Sequence, residues 1–235
     1  MTPKVATYFC AMKWIPNALT LGNAACGMAA IWFMMFQNLE YTTGALVLAF
    51  VFDALDGWAA RKLGVEGELG VQLDSLADVI TFGVVPGFMW MQLAMWMNTD
   101  YGWPALPVLG WAVTLASVYR LARFNSVMKD YPGFMGMPTP ANTAFVLGLM
   151  YAADAELIPL HPALFLAALA WSVYSLNARF EVASLKDCPI SWSDRRFRMA
   201  WVAVSLAAFA FWGLAALAVA VPLLPLVSAL EKRFL

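Results

Sequence analysis

The chain has 235 residues, 63% of them hydrophobic and only 12% charged, with a net charge of −1. A soluble domain is about 45–50% apolar and about 25% charged, so too little polar side chain is present here to cover a globule in water. That composition, with a mean hydropathy of +0.71, excludes a soluble enzyme, an extracellular disulfide scaffold and a disordered chain. It points to an all-α, polytopic membrane helix bundle in contact with lipid, and the charge balance suggests no nucleic-acid partner.

A bilayer core about 30 Å thick takes about 20 apolar residues of helix. Candidate spans follow in chain order at 15–36, 43–60, 71–97, 105–124, 140–153, 162–180 and 199–218. A last apolar stretch, 219–230, carries Pro222 and Pro225 and reads as a short eighth helix or the frayed end of the seventh. The first run is too long for a signal peptide and is followed by no clear cleavage site, so it reads as a span. Cys10, Cys26 and Cys188 are odd in number and show no metal-ligand spacing, which predicts free thiols.

The cations orient these spans. Lys4 and Lys13 precede the first, Arg61 and Lys62 follow the second, and Arg120, Arg123 and Lys129 end or follow the fourth. Arg179, Lys186, Arg195, Arg196 and Arg198 follow the sixth, and Lys232 and Arg233 close the chain. The loops after spans one, three and five hold Glu40, Asp100, Asp154, Glu156 and His161 but no Lys or Arg. With an even number of spans all 14 cations lie on one side, which the positive-inside rule makes the cytoplasm, with both termini there. The 33 residues between Arg198 and Lys232 are short for two full crossings, so eight helices are favoured, the last pair short or tilted, with seven as the alternative. No repeat or linker interrupts the chain, which reads as one membrane domain over residues 1–235.

Spans two and three carry the chemistry. Four carboxylates, Asp53, Asp56, Asp74 and Asp78, sit in helices that otherwise read as membrane. Burying them costs several kcal/mol each unless they face a cavity or a partner. Structural pairing would need cations, and only Arg61 and Lys62 lie nearby in sequence. Asp53, Asp56, Gly57 and Ala60 share one helical stripe, as do Gly70, Asp74 and Asp78, and a short connection at 62–69 turns the stripes face to face. Clustered carboxylates are most cheaply held by a divalent ion, and oxygen ligands without His or Cys select Mg²⁺, Mn²⁺ or Ca²⁺. Small residues beside them let a flat ligand approach the backbone.

Residues 53–78 read D-x2-D-G-x2-A-R-x8-G-x3-D-x3-D, eight positions over 26 residues. This string resembles the signature of the CDP-alcohol phosphatidyltransferases, membrane enzymes that move a phosphatidyl group from a CDP-linked lipid to an alcohol and release CMP. The resemblance implies a core of six helices over residues 14–180, with 199–230 as a C-terminal helix or hairpin. It implies that Asp53, Asp56, Asp74 and Asp78 ligate divalent ions, two being expected, and that Asp78 is also the general base. Gly57, Ala60 and Gly70 would let the nucleotide lie against the helices, and Arg61 would contact phosphate. Family members often carry Ser or Thr where this chain has Gly67, so that contact is absent or made by backbone. The P-N-x-x-T element, with Asn17 and Thr20, resembles the family's N-terminal nucleotide-contacting segment; by themselves these residues could simply begin a helix, with Thr20 bonding to its own backbone.

Three further blocks are similar to the phosphatidylserine synthase branch: 74–87, the run Tyr119-Arg120-Leu121-Ala122-Arg123-Phe124-Asn125, and 134–142. They imply CDP-diacylglycerol and L-serine as substrates, with Arg120 or Arg123 holding the serine carboxylate in a bidentate fork and Asn125 orienting a polar end. The same arginines would also suit glycerol 3-phosphate or another acceptor, or serve only as positive-inside anchors. The 136–140 segment floors the acceptor pocket or merely turns the chain. Arg195, Arg196 and Arg198 read as topology determinants. The expected assembly is a homodimer, in the inner membrane if the source is bacterial, with the site at the cytoplasmic face. A cation transporter is the competing class, but its acids belong near the bilayer midplane, whereas these flank a cytoplasmic loop.

Overall fold

The computed structural model describes residues 3–101, 105–127, 134–182 and 196–234. Lys129, Lys186, Cys188 and Arg195 lie outside the described residues, as do the side chains of Lys4, Cys10, Lys13, Asp100, Arg196, Arg198, Lys232 and Arg233. Cys26 is a free thiol, as expected. The chain divides into two compact units, Met1–Val85 and Pro86–Leu235.

The first unit is built on helices α1 (Pro3–Met35), α2 (Leu39–Leu63) and α3 (Glu68–Asp78), followed by a π-helical segment, Val79–Val84. α1 and α2 form an antiparallel hairpin. Its turn is made by Gln37 in the left-handed region, φ 56°. Asn38 then caps α2 by accepting from the Tyr41 N–H at 3.0 Å. α2 stops at Gly64, where φ is 62° and the backbone bonds back to Ala60 and Arg61; only glycine takes this conformation at no steric cost. Val65 tucks under the turn, and the extended Gly67 starts α3. A four-residue connection thus turns the acidic end of α2 directly onto the acidic start of α3.

α1 buries one stripe, including Pro16, Thr20, Asn23, Gly27, Ala30 and Met34, at the i, i+4, i+7 spacing of a single face. Gly27 is where α1 meets the π segment: a Cβ there would lie 2.9 Å from Thr81 Cα. Phe50 and Phe82 stack at 5.0 Å between ring centroids and seal the lower part of this packing.

The second unit takes up α4 (Val85–Tyr101) from Pro86 and continues through a 3₁₀ turn, Leu106–Gly110, into α5 (Trp111–Val127). Then come α6 (Thr139–Asp154), α7 (Pro162–Asn177), α8 (Arg196–Trp212), α9 (Leu217–Ala220) and α10 (Leu224–Phe234). Its core gathers around Trp90, which meets Phe165 edge-on at 5.2 Å and packs on Phe145. A two-residue ribbon pairs β1 (Phe134–Met135) with β2 (Glu181–Val182). Beside it, Gly136 N–H donates to Phe180 O and Met137 N–H to Ser175 O, both at 2.8 Å. The 136–138 strap is therefore bonded to the end of α7 rather than free.

The helical bundle expected from hydropathy is present, a multi-pass integral membrane protein. Four described segments are long and apolar enough to cross a bilayer: Trp14–Met35, Leu39–Leu63, Glu68–Met97 and Met199–Ala220. The expected spans 105–124, 140–153 and 162–180 appear as helices of 17, 16 and 16 residues, about 25 Å long at 1.5 Å per residue. Pro140 and Pro162 stand in the first turns of α6 and α7, and Pro107 lies in the 3₁₀ turn that precedes α5. The stretch 219–230 is not a frayed end of α8: a turn at 221–223 separates α10 as its own helix.

Candidate metal centre

Each carboxylate owes its place to helical spacing and to the tight turn at Gly64–Gly67. Asp53 and Asp56 leave α2 on neighbouring turns, and Asp74 and Asp78 do the same on α3. Ligand oxygens of Asp53, Asp56 and Asp74 all lie within 4.8 Å of one another. Asp56 is the most buried at 5% exposure, and Asp53, Asp74 and Asp78 are half-buried. Asp78, one turn beyond Asp74 on α3, lies close enough to Asp53 and Asp74 for their charges to interact. Its Oδ1 is buried without a hydrogen-bond partner.

The donor set fits a hard divalent ion. Metal–oxygen bonds of about 2.0–2.6 Å span oxygen pairs up to about 4–5 Å apart. Two carboxylates at this separation repel by about 3 kcal/mol at an effective dielectric near 20, so three ionised together strain a protein whose whole stability is about 5–15 kcal/mol. A bound cation reverses that sign. The Oδ1 atom of Asp78 is a buried acceptor with no hydrogen-bond donor among the described residues, an exception that calls for an explanation.

Thr20 is the surprise among the residues singled out from sequence. Its hydroxyl lies 3.0 Å from Pro16 O, the expected backbone bond. It also lies 2.6 Å from Asp56 Oδ2. One proton serves one acceptor well, and the short distance to a carboxylate marks the stronger bond. In this structure Thr20 orients a candidate metal ligand, a link 36 residues away in sequence that no local pattern announces.

The other candidate residues of the first unit gather around the acids. Asn17 stands beside Gly70, where a Cβ would lie 3.8 Å from Asn17 Oδ1. Arg61 folds over Gly57, with Nη1 3.2 Å from where a Cβ would sit. The absence of a side chain at Gly57 therefore makes room for the guanidinium beside the cluster. Ala60 is half-buried on the same stripe. Gly67 is exposed and extended at the start of α3. Arg120, Arg123 and Asn125 belong to α5 of the second unit; Arg120 is buried at 9% exposure, while Arg123 and Asn125 are half-buried. Sequence treated the two arginines alike, and burial distinguishes them. Asn23 carries no role in the sequence reading, yet it is fully buried with both side-chain polar atoms unpartnered.

Residues 13–176 match the family described as CDP-alcohol phosphatidyltransferase. The CDP-diacylglycerol–serine O-phosphatidyltransferase of Bacillus subtilis (strain 168) is 34% identical over 130 residues, 55% of this chain and 71% of that protein. The protein of the same name from Mycobacterium leprae (strain TN) is 34% identical over 146 residues, 59% of this chain and 47% of that protein. An archaetidylserine synthase of Methanothermobacter thermautotrophicus is 34% identical over 143 residues, 60% of this chain and 58% of that protein. The chain thus spans about half the length of the last two of these relatives.

Proposed function

Because this chain belongs to the CDP-alcohol phosphatidyltransferase family, a family of membrane phosphotransferases, we propose that it transfers the phosphatidyl group of CDP-diacylglycerol to L-serine, giving phosphatidylserine and CMP. The observation that carries this reading is the carboxylate cluster: three ligand oxygens within 4.8 Å at the family's signature positions, with the fourth acid beside them. The names of the relatives favour serine over other acceptors.

In this reading Asp53, Asp56, Asp74 and Asp78 hold Mg²⁺ or Mn²⁺, with two ions expected. Bound metal supplies charge neutralisation on the diphosphate as the transition state forms. Asn17, Gly57, Ala60, Arg61, Gly67 and Gly70 receive the cytidine and its phosphates, and Thr20 acts through Asp56. Asp78 accepts the proton of the serine hydroxyl. The serine oxygen bonds to the phosphorus that carries diacylglycerol, and the bond from that phosphorus to the CMP oxygen breaks. Arg120, Arg123 and Asn125 bind the acceptor, the guanidinium groups taking its carboxylate. The site opens to the cytoplasm, where the soluble acceptor is supplied, and the chain works as a homodimer.

The test offers purified protein in liposomes CDP-diacylglycerol, Mg²⁺ or Mn²⁺, and a panel of alcohols, then identifies the lipid made. Phosphatidylserine and CMP in equal amounts are expected. Use of glycerol 3-phosphate or inositol with serine ignored overturns the acceptor. Exchange of labelled CMP into CDP-diacylglycerol without any acceptor overturns direct transfer.

A further inference from the structure

Asn23 is buried to 0% exposure, and neither its Nδ2 nor its Oδ1 has a partner. Buried amides are almost always hydrogen-bonded, and an exception at a site usually marks a group whose partner arrives with a ligand or a water. The surroundings of Asn23 say which partner. α1 and α3 run in the same direction, because Asn17 adjoins Gly70 and, further along both, Asn23 O accepts from Thr81 Oγ1 at 3.1 Å. Asp78 lies between Gly70 and Thr81 in sequence, so its level on α1 falls between Thr20 and Asn23. The Cβ of a helical residue leans toward the helix N-terminus, which tips the Asn23 carboxamide back toward that level. There lies Asp78 Oδ1, which with the two Asn23 atoms makes three buried, unpartnered side-chain atoms among the described residues of this unit. Gly27, one turn beyond Asn23, holds α1 at backbone contact with Thr81, so the two groups share a closed interface.

We propose that Asn23 is a positioning residue for Asp78: its Nδ2 donates to Asp78 Oδ1, directly or across one water, when Asp78 takes up its metal-bound place. The inference rests on the reading of the acids as a metal site. Thr20 and Asn23 then divide the work along one face of α1, Thr20 orienting Asp56 and Asn23 orienting Asp78. Sharing Oδ1 with Asn23 leaves the opposite oxygen of Asp78 for the cluster and fixes the carboxylate plane.

The test compares Asn23→Leu and Asn23→Ser with the parent, as full-length protein in nanodiscs. Leucine keeps the branched outline of asparagine, in a larger side chain, and removes the orphaned polar atoms. In the metal-free Asn23→Leu protein the gain from removing an unpartnered amide and the cost of extra volume offset each other, so it is expected to melt close to the parent temperature. Its Mn²⁺ affinity, read by electron paramagnetic resonance of free Mn²⁺, should fall about 10–100-fold, the usual cost of losing an outer-shell partner. Its kcat should fall by a similar factor while KM for CDP-diacylglycerol stays close to the parent value. Asn23→Ser, which restores a donor able to work through water, should recover part of both losses. Asn23→Leu with parental Mn²⁺ affinity and kcat overturns the proposal, as does a lower melting temperature with unchanged Mn²⁺ affinity, which assigns Asn23 to packing alone. Asp56→Asn is run beside them. If it loses Mn²⁺ binding while Asn23→Leu does not, only the role of Asn23 fails; if Asp56→Asn also binds Mn²⁺ like the parent, the metal-site reading fails with it.

Discussion

Thr20→Val tests the link between α1 and the acids most sharply, because valine keeps the shape and deletes only the hydroxyl. That hydroxyl is 2.6 Å from Asp56 Oδ2 inside a buried interface. A hydrogen bond to a charged group contributes about 1.5–3 kcal/mol, which is about 10- to 150-fold in an equilibrium constant. The loss falls on whichever equilibrium uses the ionised Asp56. We expect Mn²⁺ affinity to drop by that factor and the Mn²⁺ concentration for half-maximal CMP release to rise with it. Thr20→Ser keeps the donor and should stay near the parent. The assay is Mn²⁺ titration of purified protein, followed by CMP release from CDP-diacylglycerol and serine. A Thr20→Val protein with parental Mn²⁺ affinity and a raised KM for CDP-diacylglycerol refutes the reasoning; it returns Thr20 to the direct nucleotide contact that its sequence context suggests.

Asp74→Asn removes one of three mutually repelling charges, so the metal-free protein should melt higher, while the stabilisation on adding Mn²⁺ shrinks and turnover is lost; a thermal scan with and without Mn²⁺ reads both. Gly57→Leu puts a branched side chain where Arg61 Nη1 now lies 3.2 Å from the Cβ position. The exposed Arg61 can swing aside, so the fold should hold; the leucine instead fills the space beside the acids, and CDP-diacylglycerol binding should weaken about tenfold or more, a loss of about 1.4 kcal/mol or more, measured by competition with labelled lipid. Gly27→Val forces a Cβ to within 2.9 Å of Thr81 Cα. The α1 interface must then open, and the expected result is a loss of about 1–3 kcal/mol in stability, seen as a lower melting temperature; an unchanged value would mean the close approach is dispensable.

The chain determines by itself everything that depends on helical period and hydropathy. The spans, the four acids on two stripes and the small residues beside them are local in sequence, and a 3.6-residue repeat turns spacing into a face without help from the rest of the fold. The turn between the stripes is equally local, since Gly64 needs only its own freedom at φ 62°. Helix length is less legible. The span expected at 105–124 begins instead as a 3₁₀ turn, Leu106–Gly110, before α5, and the one expected at 162–180 ends at Asn177, because an apolar run does not record where backbone bonding begins or stops.

Only the tertiary structure decides what crosses between helices. The bond from Thr20 to Asp56 and that from Thr81 to the Asn23 carbonyl join residues 36 and 58 apart. The π-helical segment after Asp78 has no sequence signature of its own; it appears where Thr81 meets the bare face of Gly27. Arg120 and Arg123 look equivalent as letters, yet one is buried and the other half-exposed. In a membrane helix nearly every residue is apolar, so sequence shows that a polar side chain is exceptional but not which neighbour it meets. That is set by the rotation of each helix against the next, which side-chain volumes such as those of Gly27 and Phe82 determine together.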